Sequence, residues 1–413
     1  MLQYTNHFDT KTLDPFTLEK GFEAVHYEVE NNEVGYYHLP KGSQALVEEL
    51  NTTRDEIDRR FNTIAVIGIG GSSLGIKAIE RLLRPSTPNA KKIVYLENSD
   101  PISIISEMEE IDKATTLFIV ISKSGGTVEA LSIFKRLIVS FELTLECSDQ
   151  IYIVSDDNSI LSRFAEEYHL RRFVIPDNVG GRFSVLSAVG VVPLTLAGFN
   201  TAAILKGAQS FLERFWDRKE EHILQKASYY VSHKDQYPMN VLFAYADSFE
   251  EFGKWVVQLW GESLGKRNRY GERVGLTPIS LIGSVDQHSF LQLIIEGPLN
   301  KTVTFMHVES SADHLMIPEL SLKFLEKSDF INGKSFNDLI NAQCKATMQS
   351  VLKSGVSVDE ITWKKIDETS VGEMIVYYEL LTSICGALME INTYNQPGVE
   401  LGKTILAGYF QKK

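Results

Sequence analysis

The chain of 413 residues is long enough for two domains, and its composition, 44% hydrophobic and 23% charged, is that of a well-packed globular protein. The formal net charge of −13 argues against general nucleic-acid binding, which depends on basic patches, so an anionic ligand has to be held by local positive groups. There is no cationic and apolar leader at Met1 and no apolar run of about 20 residues, so we expect neither secretion nor a membrane span.

The first half of the chain alternates apolar runs with helical patterns. Residues 1–45 are mixed and polar, which predicts an N-terminal arm packed on the body, and a helical pattern follows over 43–61. Continuous apolar runs predict buried parallel strands, and the spacing between them is that of amphipathic helices. The predicted strands are 63–67, 92–96, 116–121, 151–154 and an edge strand at 173–175, and the predicted helices are 76–83, 101–108, 131–138 and 160–168. This alternation predicts a doubly wound parallel sheet with helices on both faces.

The second half repeats this architecture after an apolar helix over 185–196 and a helical pattern over 201–230. The predicted strands are 239–245, 279–282 and 302–306, and the predicted helices are 249–264, 287–295, 336–352 and 371–391. We therefore predict two α/β domains with mainly parallel sheets. The predicted division is an N-terminal arm of residues 1–45, a first domain of 46–185, and a second domain of 186–413 that includes the C-terminal helices.

One turn has the composition of a phosphate site. Residues 122–127, Ser-Lys-Ser-Gly-Gly-Thr, lie between a predicted buried strand and a predicted helix. Unsatisfied N–H groups and the helix dipole favour a dianion at such a point, and Lys123 adds a full positive charge. We interpret this turn as a phosphate cradle.

A second glycine-rich turn, residues 68–75, has three interpretations. Ser73 stands where the third glycine of a dinucleotide fingerprint belongs, and Ile76 stands where a Walker A lysine belongs. A sugar-phosphate turn needs close backbone approach and a hydroxyl, which Gly71 and Ser72 supply. Tight strand-to-helix packing is the structural alternative for this turn, but two such turns at neighbouring strand ends strengthen the phosphate interpretation.

Four further residues are candidates for chemistry, although each type is more often structural or exposed. Arg182 lies among glycines, where a guanidinium can stabilise an oxyanion. Glu262 lies near a helix end, where a carboxylate can remove a proton next to a carbonyl. His288 follows a strand, and Lys403 lies two helical turns after Asn395, from where it can point back to a site.

We predict no metal. The cysteines Cys147, Cys344 and Cys385 are far apart in the chain. The histidines other than His288, at positions 7, 26, 38, 169, 222, 233, 307 and 314, show no paired-ligand spacing. An odd set of separated cysteines also favours a reducing, cytoplasmic location.

In their order and spacing, these motifs resemble those of the glucose-6-phosphate isomerase family in its compact bacterial form. The resemblance rests on residues 68–75, 122–127, 180–184, 261–266, 287–288 and 394–403. It implies two doubly wound sugar-isomerase (SIS) domains, a homodimer and no cofactor. It also implies reversible conversion of D-glucose 6-phosphate into D-fructose 6-phosphate through a cis-enediol, in glycolysis and gluconeogenesis.

The resemblance further implies a role for each matched residue. Glu262 is implied to move a proton between C2 and C1, and Arg182 to stabilise the enediolate. His288 and Lys403 are implied to open the ring, with the histidine supplied by the other subunit. The residues implied to hold the phosphate or contact the sugar are Gly71, Ser72, Ser122, Lys123, Ser124, Thr127, Gln258 and Gln396.

One departure and three alternatives accompany this interpretation. Gly126 replaces a threonine that is frequent in related bacterial enzymes, so we expect a modest effect on phosphate affinity. The alternatives are an isomerase that also accepts mannose 6-phosphate, a non-catalytic sugar-phosphate sensor, and a dinucleotide-dependent oxidoreductase, against which Ser73 argues only weakly. The N-terminal 60 residues carry no motif and receive no role.

Overall fold

The computed structural model describes residues 2–310 and 315–411. Its strands are β1 Leu2–Asn6, β2 Thr63–Ile67, β3 Lys92–Leu96, β4 Thr116–Ile121, β5 Ile151–Asp156, β6 Arg171–Ile175, β7 Met239–Tyr245, β8 Lys266–Arg267, β9 Arg273–Val274, β10 Thr277–Ile282, β11 Lys301–Val308 and β12 Ser357–Trp363. Its helices are α1 Pro15–Glu30, α2 Leu39–Gly42, α3 Gln44–Arg60, α4 Leu74–Leu83, α5 Pro101–Glu109, α6 Val128–Ser140, α7 Ile160–Glu167, α8 Ala188–Ala197, α9 Thr201–Trp216, α10 Glu221–Ser232, α11 Glu250–Leu264, α12 Leu291–Ile295, α13 Phe336–Lys353, α14 Glu368–Leu388 and α15 Pro397–Gln411.

The first sheet is wholly parallel, with strand order β3-β2-β4-β5-β6. Every residue of β2 and β4 is buried, as expected for central strands covered on both faces. The chain order reverses at β2, which has β3 on one side and β4 on the other. Ligands of doubly wound sheets bind beyond the carboxyl ends of the strands at this point, where both glycine-rich turns begin.

The second sheet has strand order β1-β12-β11-β7-β10. Strands β12, β11, β7 and β10 are parallel, and β1 pairs with β12 in antiparallel orientation. The prediction of a doubly wound α/β fold with mainly parallel sheets is confirmed. The predicted N-terminal arm contributes β1 and α1, so its first strand belongs to the second sheet, and the division at residues 45 and 185 stays a prediction.

Several elements differ from the sequence-based expectations. Strand β12 was not predicted because it contains the acidic residues Asp359 and Glu360, but Asp359 is buried against Lys226 of α10. The helical pattern over 201–230 forms two helices, α9 and α10, which are separated at residues 217–220. Strands β8 and β9 form a short antiparallel hairpin that was also not predicted.

Packing between helices joins the two sheets. Helix α4 of the first sheet packs on α11 of the second, and a Cβ added at Gly75 would lie 3.5 Å from Trp255. Helix α14 runs through the core and crosses α9 where Gly207 and Gly372 permit backbone contact. Its length and apolarity would suffice to cross a membrane, but 89% of its most apolar stretch is buried inside the protein, which is the pattern of a core helix.

Candidate active site

The two glycine-rich turns lie side by side at the carboxyl edge of the first sheet. A Cβ added at Gly68 would lie 3.0 Å from the Ile121 carbonyl and 2.8 Å from the Ser72 Cβ. A Cβ added at Gly71 would overlap the carbonyl of Gly181. The first turn therefore needs glycine at position 71 because the 181–183 turn packs directly against it.

The 122–127 turn forms a compact cup at the start of α6. Ser122 is buried, and its Oγ lies 2.9 Å from Oγ1 of Thr127, the residue preceding α6. Gly125 has φ +67°, and the Ser124 Oγ accepts a hydrogen bond of 3.3 Å from the Gly126 amide. Hydroxyls therefore surround the first turn of a 13-residue helix, where unsatisfied N–H groups attract an anion.

Lys123 ties this cup to the segment before Arg182. Its Nζ donates to the carbonyls of Asp177 and Val179 at 2.7 and 2.8 Å. Burial lowers the pKa of Lys123 from its usual value. Its charge is thus held beside the cup by backbone acceptors and is not neutralised by a carboxylate at hydrogen-bonding distance among the described residues.

Arg182 is fully buried and committed on two of its three nitrogens. Nε donates to Ser263 Oγ at 2.6 Å, and Nη2 donates to the Thr393 carbonyl at 2.5 Å. Nη1 lies 3.5 Å from Glu262 Oε2 and has no hydrogen-bond partner among the residues described. Burial lowers the pKa of Arg182, and Glu262 opposes this shift. A buried donor without a partner is costly, which indicates that it serves a ligand.

Glu262 lies near the end of α11 with its side chain 34% exposed. Its Oε2 accepts a hydrogen bond of 2.6 Å from Gln396, and its Oε1 accepts one of 3.3 Å from Gln258, one turn earlier on the same helix. The Oε1 atom of Gln258 is buried without a partner among the described residues. The carboxylate is therefore oriented by two amides and still reachable from the cleft.

Two clefts adjoin at residues 395–397 beside these side chains. One, of about 430 Å³, is lined by Lys123 and Arg182, and the other, of about 770 Å³, is lined by Glu262. Gln396 lines both. Lys123 of the 122–127 turn therefore shares a cleft with Arg182, and this cleft adjoins the one beside Glu262.

Lys266 lines the same cleft as Glu262, and the sequence analysis gave it no role. Its Nζ donates to the carbonyls of Asn392 and Asn395 at 3.0 and 2.5 Å. Burial and the nearby charge of Arg182 lower the pKa of Lys266 from 10.5 to about 8. Its position in the 261–266 motif was a signal, but its carbonyl partners lie over a hundred residues away and leave no sequence pattern.

His288 is exposed and lies in a 3₁₀ turn over 285–288, before α12 and not within it, so the helix predicted over 287–295 is shorter than expected. The preceding residue, Gln287, donates from Nε2 to the Tyr245 hydroxyl at 2.8 Å. Tyr245 is the last residue of β7, so His288 lies at the carboxyl end of the second sheet.

Glu262 lies at the other end of the same sheet. Trp260, two residues before it, donates from Nε1 to Asn240 Oδ1 at 3.1 Å, and Asn240 is the second residue of β7. The stretch of β7 from Asn240 to Tyr245 spans roughly 17 Å. The two predicted catalytic groups, Glu262 and His288, are therefore not brought together within one chain.

Lys403 is exposed on α15, where its Nζ donates to Glu400 at 2.8 Å. It makes no contact with Glu262, although the start of α15 lines both clefts. Lys403 and His288 thus stay predictions as ring-opening residues.

Over residues 2–310 and 315–411, no group of three metal-ligating side chains is arranged to hold an ion; His314 lies outside this range. All three cysteines are free, with Cys147 exposed and the other two, Cys344 and Cys385, buried.

Comparisons with known proteins agree with this architecture. A family model described as phosphoglucose isomerase matches residues 44–412. The chain is 42% identical over 408 residues to a glucose-6-phosphate isomerase from Campylobacter jejuni, covering 98% of each chain.

Solved structures show the same fold. A hypothetical protein from Thermus thermophilus superposes with a TM-score of 0.91 at 30% identity and covers 100% of both chains. A glucose-6-phosphate isomerase from Chlamydia trachomatis superposes with a TM-score of 0.74 at 24% identity, covering 90% of this chain and 74% of that one. The chain belongs to the phosphoglucose isomerase family.

Proposed function

We propose that this protein interconverts D-glucose 6-phosphate and D-fructose 6-phosphate through a cis-enediol intermediate. The observation that carries the proposal is the buried, unpartnered Nη1 of Arg182, 3.5 Å from the carboxylate of Glu262. A base and a fixed cation thus meet where an oxyanion would form. The names of relatives such as the C. jejuni enzyme support the same substrate pair.

The chemical step needs one base and one cation. The C2 proton of the open-chain aldose is acidic because the C1 carbonyl takes up the charge, and Glu262 removes it. Arg182 Nη1 then donates to the enediolate oxygen, an interaction stronger in the transition state than in the sugar and worth about 3 kcal/mol. Returning the proton to C1 gives the ketose, and one base serves both carbons because they share one face of a planar intermediate.

The phosphate does no chemistry but fixes the sugar. We assign it to the cup of residues 122–127, with Lys123, Gly71 and Ser72 at its rim. The unpartnered Oε1 of Gln258 is available to accept a hydrogen bond from a sugar hydroxyl. Gln396 orients Glu262 and faces the same cleft. Binding at the phosphate is thereby converted into the correct placement of C1 and C2.

Ring opening needs a second subunit. His288 is separated from Glu262 by the length of β7, so we assign the ring-opening histidine to the partner in a homodimer, with Lys403 assisting. Large apolar side chains are exposed along residues 315–336 and α15, including Phe324, Phe330 and Phe410 at 84%, 81% and 82%. Patches of this kind are typical of protein interfaces and support a second copy as their occupant.

A mixing experiment tests the shared site. His288→Ala and Glu262→Gln subunits should each be inactive alone, but a hybrid dimer would contain one site with both native residues. Random exchange should restore about a quarter of the native rate, because half of the dimers are hybrid and each has one working site. No recovery after subunit exchange is verified by mass spectrometry would contradict a shared site.

The proposed reaction is tested by measuring fructose 6-phosphate formed from glucose 6-phosphate, with a chelator present. We expect turnover of at least about 1 per second, since typical enzyme rates lie above this value. The same assay with mannose 6-phosphate separates a strict enzyme from one that accepts both sugars. A folded wild-type protein that forms no fructose 6-phosphate from glucose 6-phosphate would overturn the proposal.

We place the reaction in the cytoplasm, as a step of glycolysis and gluconeogenesis. The free, exposed thiol of Cys147 supports a reducing compartment. We propose that glucose 6-phosphate and fructose 6-phosphate are the substrates in this compartment.

A further inference from the structure

A partly buried network joins the N-terminal helix to the segment that borders the site. The Tyr394 hydroxyl donates to Glu28 Oε2 at 2.5 Å and lies 2.9 Å from Ser383 Oγ. The same Glu28 oxygen accepts a hydrogen bond of 2.8 Å from the Tyr37 hydroxyl. Helix α1, to which the sequence assigns no role, thus contacts the 392–396 segment through a carboxylate.

This segment holds both reacting groups. The Thr393 carbonyl accepts from Arg182 Nη2, and Gln396 donates to Glu262 Oε2. Tyr394 lies between these two contacts in the chain. Its ring packs against Phe183, the residue after Arg182, with centroids 5.4 Å apart. Fixing the hydroxyl of Tyr394 therefore fixes the backbone from which the guanidinium and the carboxylate are oriented.

We propose that Glu28 is a positioning residue for the isomerisation, acting through the Tyr394 hydroxyl to set the place of Glu262 and Arg182. The inference rests on the proposed function. A displacement of about 1 Å in a reacting group can cost 100-fold in rate, so loss of this remote anchor affects the chemical step. Substrate affinity is affected less, because the hydrogen bonds of the 122–127 cup, which we assign to the phosphate, do not involve Glu28 or Tyr394.

Deuterium in place of the transferred C2 proton reports this effect directly. While Glu262 carries the proton from C2, the proton is either delivered to C1 or exchanged with water. If the 392–396 segment is displaced, water has more access to the Glu262 carboxyl and transfer of the proton to C1 is slower. More label is therefore lost to water in each turnover. Unfolded molecules form no product. The fraction of product that keeps the label is therefore independent of how much of the protein is folded.

The experiment uses glucose 6-phosphate deuterated at C2, with deuterium at C1 of the product measured at low conversion. For Glu28→Leu we expect kcat to fall about 10-fold or more, KM to stay within about threefold, and retained deuterium to fall at least about twofold. Glu28→Gln keeps an acceptor oxygen and should restore native retention. Tyr37→Phe removes the other hydroxyl on the same oxygen and should also retain deuterium as the wild type does.

A double variant tests whether Glu28 acts through Tyr394. Tyr394→Phe should reproduce the Glu28→Leu losses, and the combined variant should lose no more than the larger single variant, since coupled residues are not additive. Native retention and kcat in Glu28→Leu, or additive losses, would overturn the inference. If Glu28→Leu does not fold, the near-isosteric Tyr394→Phe decides by the same readout. A wild-type protein without isomerase activity would instead overturn the proposed function.

Discussion

Arg182 holds its Nη1 atom 3.5 Å from Oε2 of Glu262 while its other two nitrogens are bonded to Ser263 and Thr393. The guanidinium is thus anchored on two sides, with one donor left for a ligand. A preorganised cation of this kind costs little reorganisation when charge develops beside it.

Replacing the planar guanidinium of Arg182 should impair the chemical step. We expect Arg182→Lys to lower kcat about 100-fold or more with a smaller change in KM, because lysine cannot bond Ser263, Thr393 and a ligand at once. Steady-state kinetics measure both parameters. Arg269→Lys, at an exposed arginine paired with Glu390, is the matched control and should keep native kinetics. A kcat within threefold of native for Arg182→Lys would count against its role.

The phosphate cup should respond mainly in affinity. Lys123→Ala removes a charge worth about 1.5–3 kcal/mol to a bound anion, so KM for glucose 6-phosphate should rise about 10-fold or more. The effect should be absent for binding of the sugar without its phosphate, measured by competition. An unchanged KM in Lys123→Ala would exclude the cup as the phosphate site.

A substitution at position 126 tests the effect of having glycine in this turn where related bacterial enzymes often have threonine. A Cβ added at Gly126 would meet only Ile160 Cδ1, at 4.0 Å, and Gly126 does not have a positive φ. A threonine therefore fits, and Gly126→Thr should keep the fold and leave KM unchanged or lower it up to about threefold by adding one hydroxyl. Gly125→Thr is the contrasting variant, because φ is +67° there and the Leu161 backbone lies 2.7 Å from an added Cβ. A higher KM for Gly126→Thr would contradict this.

The lowered pKa of Lys266 predicts that kcat decreases at alkaline pH. Burial lowers its pKa to about 8, so the ammonium is charged below this pH and loses its proton above it. Its hydrogen bonds to the Asn392 and Asn395 carbonyls weaken as the charge is lost, and kcat should decline above about pH 8. Lys266→Arg stays charged throughout and should move this decline to higher pH. A profile of Lys266→Arg that matches the native one would contradict the assignment.

Away from the site, a buried ion pair should dominate local stability. Lys226 donates to Asp359 at 2.6 Å, and both side chains are at most 4% exposed. Lys226→Met leaves the carboxylate without its charge partner and should lower the free energy of unfolding by about 3–5 kcal/mol, measured by urea denaturation. Lys254→Met, at an exposed pair with Glu250, should cost less than about 1 kcal/mol. Equal losses in the two variants would contradict the argument.

The first sheet was predictable because its central strands β2 and β4 are continuous apolar runs with helical spacing on either side. Strand β12 was not predictable, since the acidic Asp359 is acceptable in a strand only when Lys226 lies against it. Strand β1 was missed for a related reason: it is a short edge strand, and only pairing with β12 identifies it.

The site followed a similar pattern. The glycine-rich turns have a local signature, so their position between strand and helix was predictable from sequence, and their role in holding a phosphate stays a prediction. The approach of Arg182 to Glu262 depends on tertiary packing between distant segments and has no local signal. The contacts of Lys266 and Glu28 were missed because they join distant segments, in part through backbone carbonyls that any residue type supplies.

The most direct test of the account is Glu262→Gln, which keeps the shape of the side chain and removes the base. The account predicts that kcat for glucose 6-phosphate falls at least about 1,000-fold, while calorimetry shows the sugar phosphate binding within about threefold of native affinity. Glu250→Gln, on the exposed start of the same helix, is the matched control and should keep the native rate. A Glu262→Gln protein that turns over at the native rate would contradict the central claim.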